Sequence, residues 1–178
     1  KEEKFEEAEK LKRTLYALDH IQDIALIKRD IEGKGSNERI EAYDIAHLSG
    51  KDTVGVMVVV EDGEPNKSQY RKFKIKLDKN DEIKNLKEVL TRRFDHLEWR
   101  MPNIVVVDGG VAQINAAKEI LKDRKIKVVS VVKDDKHKAR EILGDSRGHE
   151  RVILLANAEA HRFAIGYHRK LRGRGFRI

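Results

Sequence analysis

Between Arg39 and Leu77 the apolar residues of this chain follow strand spacing. After Asp81 they alternate between helix and strand spacing, and this switch narrows the possible folds more than any other feature. Thr53 to Val60 reads TVGVMVVV, β-branched and nearly all apolar. Tyr70 to Leu77 alternates strictly, with Phe73, Ile75 and Leu77 on one face and Lys72, Lys74 and Lys76 on the other. With the shorter, mixed stretch Arg39 to Ala46, these predict three strands, because β-branched and aromatic side chains suit a pleated surface. Ser49-Gly50-Lys51-Asp52 reads as a tight hairpin turn, and Asp62-Gly63-Glu64-Pro65-Asn66 turns the second strand into the third.

From Asp81 the stripe Ile83, Leu86, Val89, Leu90, Phe94 and Leu97 predicts a helix. Ile104 to Val107 reads as a buried strand, Val111 to Lys122 as a helix and Ile126 to Val132 as another strand. Asp134 to His149, charged and punctuated by glycine, is expected to be an irregular excursion with some helix. Arg151 to Leu155 fits either a short strand or the lead into a helix, and Asn157 is the expected N-cap of a terminal helix starting at Ala158. An antiparallel meander followed by right-handed βαβ crossovers is the chain order of an RNase H-like α/β fold. The expectation is a mixed five-stranded sheet in the order 3-2-1-4-5, flanked by helices. Ahead of it, Phe5, Ala8, Leu11, Leu15, Leu18, Ile21 and Ile24 recur at helical spacing. The expected organisation is an amphipathic helix over 1–30, a polar glycine-containing linker over 31–38 and one domain over 39–178.

Lys and Arg outnumber Asp and Glu by 38 to 31, a formal net charge of +7 that suits a polyanionic partner. Cysteine is absent, which excludes disulfide staples, thiolate metal sites and thiol nucleophiles. No apolar run approaches membrane-spanning length and the opening lacks a signal-peptide core, so a cytoplasmic chain with no membrane partner is expected.

Asp44 lies within the first strand and Asp108 closes the fourth. In the 3-2-1-4-5 order those strands are neighbours, so the two carboxylates can share Mg2+ or Mn2+, the hard cations that carboxylates suit. Taken singly, Asp108 reads better as a turn residue before glycine, and Asp44 as a strand acid facing solvent. His161, on the terminal helix, falls near the carboxyl ends of the parallel strands and can ligate a metal or handle a proton. His168 shares its face and reads better as a surface or phosphate contact. Lys67, Tyr70, Arg71, Arg92, Arg93, Lys133, Arg162, Arg169 and Lys170 complete the set expected to meet nucleic acid, with Tyr70 among bases able to stack. Neither a Ser/His/Asp or Cys/His nucleophile arrangement nor a phosphate-binding P-loop is present.

Four blocks in order, RIEAYDIAH, PNKSQYRKFKI, LTRRF leading to IVVVDGGVAQINAA, and EAHRFAIGYHRK, resemble the C-terminal half of UvrC, the incision subunit of bacterial nucleotide excision repair. The opening KFEEAEKLKRTLYALDHI resembles the second helix of the UVR hairpin, through which that family engages UvrB. The resemblance implies an RNase H-like endonuclease that cuts damaged double-stranded DNA on the 5′ side of a lesion with magnesium or manganese. It places the family's catalytic acids on Asp44 and Asp108, its histidine on His161 and an auxiliary acid on Asp81, with Glu82 as the neighbouring alternative. Ala46 stands where the family usually has Ser, and Val111-Ala112 where it usually has Lys-Gly. Two other readings remain open at this stage: an RNase H-superfamily nuclease of another pathway, and a non-catalytic docking and DNA-binding module.

Overall fold

The computed structural model describes residues 38–48, 52–76, 81–133 and 140–174, so the expected opening helix and nearly all of the linker lie outside the described residues. In chain order the elements are β1 (Arg39–Leu48), β2 (Asp52–Glu61), β3 (Glu64–Pro65), a 3-10 turn (Lys67–Gln69), β4 (Arg71–Lys74), α1 (Glu82–Asp95), β5 (Ile104–Asp108), α2 (Val111–Leu121), β6 (Lys127–Lys133), β7 (Arg140–Leu143) and α3 (Glu150–Arg174). They form one mixed seven-stranded sheet in the order β3-β2-β1-β5-β6-β7, with β4 also paired to β2. The two central junctions, β1 with β5 and β5 with β6, are parallel, and the flanking ones are antiparallel.

The expected 3-2-1-4-5 order is present as β4-β2-β1-β5-β6, with two strands added. The predicted third strand is interrupted. β2 turns through Asp62 and Gly63, both at positive φ, into the two-residue β3. The chain then steps through the 3-10 turn before β4 pairs with the other end of β2. The irregular excursion expected before His149 contains an edge strand, β7, antiparallel to β6. The terminal helix begins at Glu150 rather than Ala158, so Asn157 sits inside it and does not cap it.

The helices divide between the faces. α1 and α2 cover Tyr43, Met57, Val59, Val105 and Val107, whereas α3 covers Ile40, Ala42, Val58, Val60, Ile104 and Val106. β2 is closed on both sides: Val56, Met57, Val58, Val59 and Val60 are each 1% exposed or less. Burial of each such side chain is worth about 1.5–3 kcal/mol. Gly55 allows α1 to approach, since a Cβ there would lie 2.3 Å from Val89 Cγ2. On the other face Ala156, Ala160 and Ala164, one helical turn apart, let α3 lie close to the strands. None of the helices among the described residues is long and apolar enough to cross a membrane.

Candidate metal centre

Tyr43 of β1 pairs with Val107 of parallel β5, so Asp44 and Asp108 are the next residues on adjacent strands, about 4.8 Å apart by ordinary strand spacing. Tyr43 and Val107 face α1 and α2, so strand alternation turns Asp44 and Asp108 toward α3. Two side chains one turn apart on α3 meet them. Asn157 Nδ2 donates to Asp108 Oδ1 at 3.3 Å, and His161 Nδ1 stands 3.5 Å from Asp44 Oδ2. Asp44 keeps 14% of its side chain exposed and His161 keeps 48%, so the cluster opens to solvent on the histidine side.

The loop after Asp108 is held from two directions. Gly109 takes a φ of +125°, and a Cβ there would sit 2.5 Å from the Gln113 side chain, so both backbone and space require glycine. From β6, Val131 O accepts from Gly109 N at 3.1 Å, and the Ser130 hydroxyl donates to the Gly109 carbonyl. From α2, Gln113 Oε1 accepts from Gly110 N at 3.0 Å.

Among the described residues no Lys or Arg pairs with Asp44 or Asp108. Two neighbouring carboxylates without a cation repel one another, a repulsion that a hard divalent ion would relieve. Among the described residues no three His, Asp or Glu side chains converge into a complete cage. The donor set fits an ion of the magnesium kind, commonly held by one or two carboxylates and completed by water and substrate phosphate.

Asp81 and Glu82 play different parts. Asp81 caps α1, accepting from Lys84 N at 3.0 Å and pairing with Lys84 Nζ at 3.1 Å. The Lys84 backbone N–H, then its ammonium, hold the Asp81 carboxyl below its ordinary range. Glu82 instead reaches Gln113 Nε2 at 3.5 Å, and through that carboxamide the Asp108 loop.

Among the residues expected at nucleic acid, Arg93 must be corrected. It is fully buried, its guanidinium donating to both Glu41 oxygens, at 2.8 and 2.9 Å, and to the Arg100 carbonyl. Tyr70 is also engaged: its hydroxyl donates to Glu159 at 2.8 Å and its ring meets Phe163 edge-on at 5.0 Å. Burial, then the Glu159 bond, push its phenol pKa up. Arg162 donates to Glu159 at 2.6 Å through Nε but keeps about half of its side chain exposed. Arg71 is tied to the Ser68 and Tyr70 carbonyls, Arg92 to Glu88 and the Lys74 carbonyl, and Lys67 is exposed on the 3-10 turn. The side chains of Lys133, His168, Arg169 and Lys170 lie outside the described residues, although their backbones continue β6 and α3. His161 is the twelfth residue of α3 rather than in its first turn, and it still reaches Asp44.

Sequence reading missed Asn157, Gln113 and Ser130. Asn157 and His161 stand four apart, a same-face spacing that became readable only once the helix was known to begin at Glu150. Gln113 and Ser130 carry no signal beyond their nearness to the Asp-Gly-Gly loop.

A family model described as the UvrC RNase H endonuclease domain matches residues 28–165. A UvrABC system protein C from Caldicellulosiruptor saccharolyticus is 44% identical over 171 residues, covering 88% of this chain and 28% of that protein. The Streptococcus uberis UvrABC system protein C is 35% identical, with 97% and 31% covered. The chain therefore spans less than a third of the length of these relatives. In structure it is similar to the catalytic domain of human Endonuclease V, with a TM-score of 0.51 at 18% identity over 91% of this chain and 98% of that one, a likeness of fold.

Proposed function

The chain belongs to the UvrC RNase H endonuclease domain family and has its RNase H-like fold, and from that premise we propose that it is the divalent-metal-dependent endonuclease unit that incises damaged double-stranded DNA 5′ to a lesion. The observation that carries this reading is the pairing of Asp44 and Asp108 on adjacent parallel strands, facing His161. Asp44 and Asp108 would hold Mg2+ or Mn2+. When bound, that ion supplies a Lewis acid at the scissile phosphate. Hydrolysis joins a water oxygen to phosphorus and breaks one backbone P–O bond. His161, half exposed beside Asp44, is positioned to accept the proton of the water or to donate one to the leaving oxygen. Glu82, linked to the Asp108 loop through Gln113, is better placed than Asp81 to serve as the auxiliary acid.

Lys67 and Arg162 are the described members of the predicted DNA-facing set that stand exposed, and Lys133 and the segment 168–170 would extend it. UvrB would dock on the amphipathic stripe of residues 1–30. The test is the cut position on a 5′-labelled lesion duplex with magnesium and the partner proteins. A single cut on the 5′ side, lost in Asp108→Asn, is expected; cutting that survives in that variant sinks the reading. Leu11→Asp with Leu15→Asp should weaken UvrB association without lowering the melting temperature of the sheet domain.

A further inference from the structure

We propose that Asn157 is the positioning residue of the centre: its carboxamide fixes the Asp108 carboxylate so that the second oxygen is presented to the divalent ion shared with Asp44. The inference rests on the reading of Asp44 and Asp108 as the ion-holding pair.

Asn157 lies in the interior of the 25-residue helix α3, and the residue as a whole is 5% exposed. A buried helix interior is a poor place for asparagine. Its helix propensity is weaker than that of alanine, and its amide loses water on burial. Its neighbours on the buried rows, Ala156 and Ala160, show what the packing alone selects. The polar group is offset by one contact that crosses from helix to sheet, Asn157 Nδ2 to Asp108 Oδ1 at 3.3 Å. Asp108 needs such a partner. It is the last residue of β5, and the Gly109-Gly110 loop after it is held through its backbone groups rather than through the Asp108 carboxylate.

The chemistry of the donor matters. A carboxamide N–H orients a carboxylate while adding no charge. A guanidinium or ammonium in the same place would neutralise Asp108 and compete with the ion, as Arg39 and Arg93 neutralise Glu41 on the opposite face. A second carboxylate would add repulsion to the pair instead. Groups that orient a metal-bound carboxylate are commonly worth about 10- to 100-fold in metal affinity. Asn157 stands one turn before His161, so a single helix face sets both the carboxylate and the proton-handling group.

The experiment is a Mn2+ titration of the full 178-residue chain, followed by loss of the free-ion electron paramagnetic resonance signal. Asn157→Ala and Asn157→Leu remove the donor while changing side-chain volume in opposite directions, and Asn157→Gln keeps a carboxamide. Both donor-less variants should bind Mn2+ about tenfold more weakly at an unchanged melting temperature, and Asn157→Gln should recover most of the affinity. Wild-type affinity in Asn157→Ala overturns the proposal, as does an equal loss in all three variants, which would mark a packing role. Asp108→Asn tests the underlying reading separately. If that variant binds Mn2+ as the wild type does, the ion is held elsewhere, whatever Asn157 does.

Discussion

Strand β1 carries two acids three residues apart, Glu41 and Asp44, and their surroundings are opposite. Glu41 is fully buried beneath the α1–α2 face, where it receives Arg39 Nε and Nη2, Arg93 Nε and Nη2, and the Tyr43 hydroxyl at 2.6 Å. Arg39 continues the network to Glu61 at 2.8 Å and to Gln69. Burial, then the nearby Glu41 carboxylate, push the Tyr43 phenol well above its ordinary range. Asp44, on the α3 face, is met by one imidazole at 3.5 Å, and its neighbour Asp108 by one carboxamide at 3.3 Å. An acid saturated by cations of its own chain belongs to the architecture. Acids brought together on neighbouring strands, with no such cation among the described residues, suit a charge that comes from outside.

The comparison predicts its largest effect on stability at the saturated acid. Glu41→Ala leaves the buried Arg93 guanidinium without its counter-charge, strips Arg39 down to Glu61, and should cost about 3–5 kcal/mol in chemical denaturation. Asp44→Asn, on the same strand, should cost less than about 1 kcal/mol, because removing one of two repelling charges offsets the lost contact. Equal losses in the two variants would erase the distinction between them.

His161→Ala should lower the single-turnover rate of cutting at least about a hundredfold, in the range of general acid–base catalysis, with DNA affinity nearly unchanged. A parallel fall in affinity and rate would move His161 from the chemistry to phosphate binding. A smaller loss than that of Glu41→Ala is expected at the seam between β4 and α3. Tyr70→Phe removes the bond to Glu159, a carboxylate 1% exposed, and should destabilise the fold by about 1–2 kcal/mol. If Tyr70 were instead a base-stacking residue, Tyr70→Phe would leave stability unchanged and Tyr70→Ala would chiefly weaken binding to single-stranded DNA.

The legible parts of the sequence were those whose burial leaves a period. β2 and β5 are apolar on both faces, and a run of β-branched residues bounded by turn signals admits little besides a buried strand. Asp44 and Asp108 were legible as a pair because strand order followed from the crossovers. β7 was not, because REIL is a four-residue edge strand inside a charged segment, too short to show a period although Ile142 and Leu143 pack on the core. The start of α3 was misread because Val152 to Leu155 suits either period, and because asparagine is a favoured cap when nothing shows that it has a carboxylate to meet. Arg93 falls four residues after Val89 and three after Leu90, on the buried stripe of α1, so its inward direction was readable. Its partner Glu41, 52 residues away, was not.

Asp44 and Asp108 form one candidate ion site that no Lys or Arg among the described residues neutralises. Thermal melting of the wild type, Asp44→Asn and Asp108→Asn across a Mn2+ and Mg2+ series tests it directly, since an ion that binds only the folded state raises its stability. Without metal, both variants should melt at or near the temperature of the wild type. Added metal should raise the wild-type melting temperature along a saturating curve and leave both variants flat. Wild-type melting that does not respond to either ion, or a rise of equal size in the two variants, would contradict the assignment.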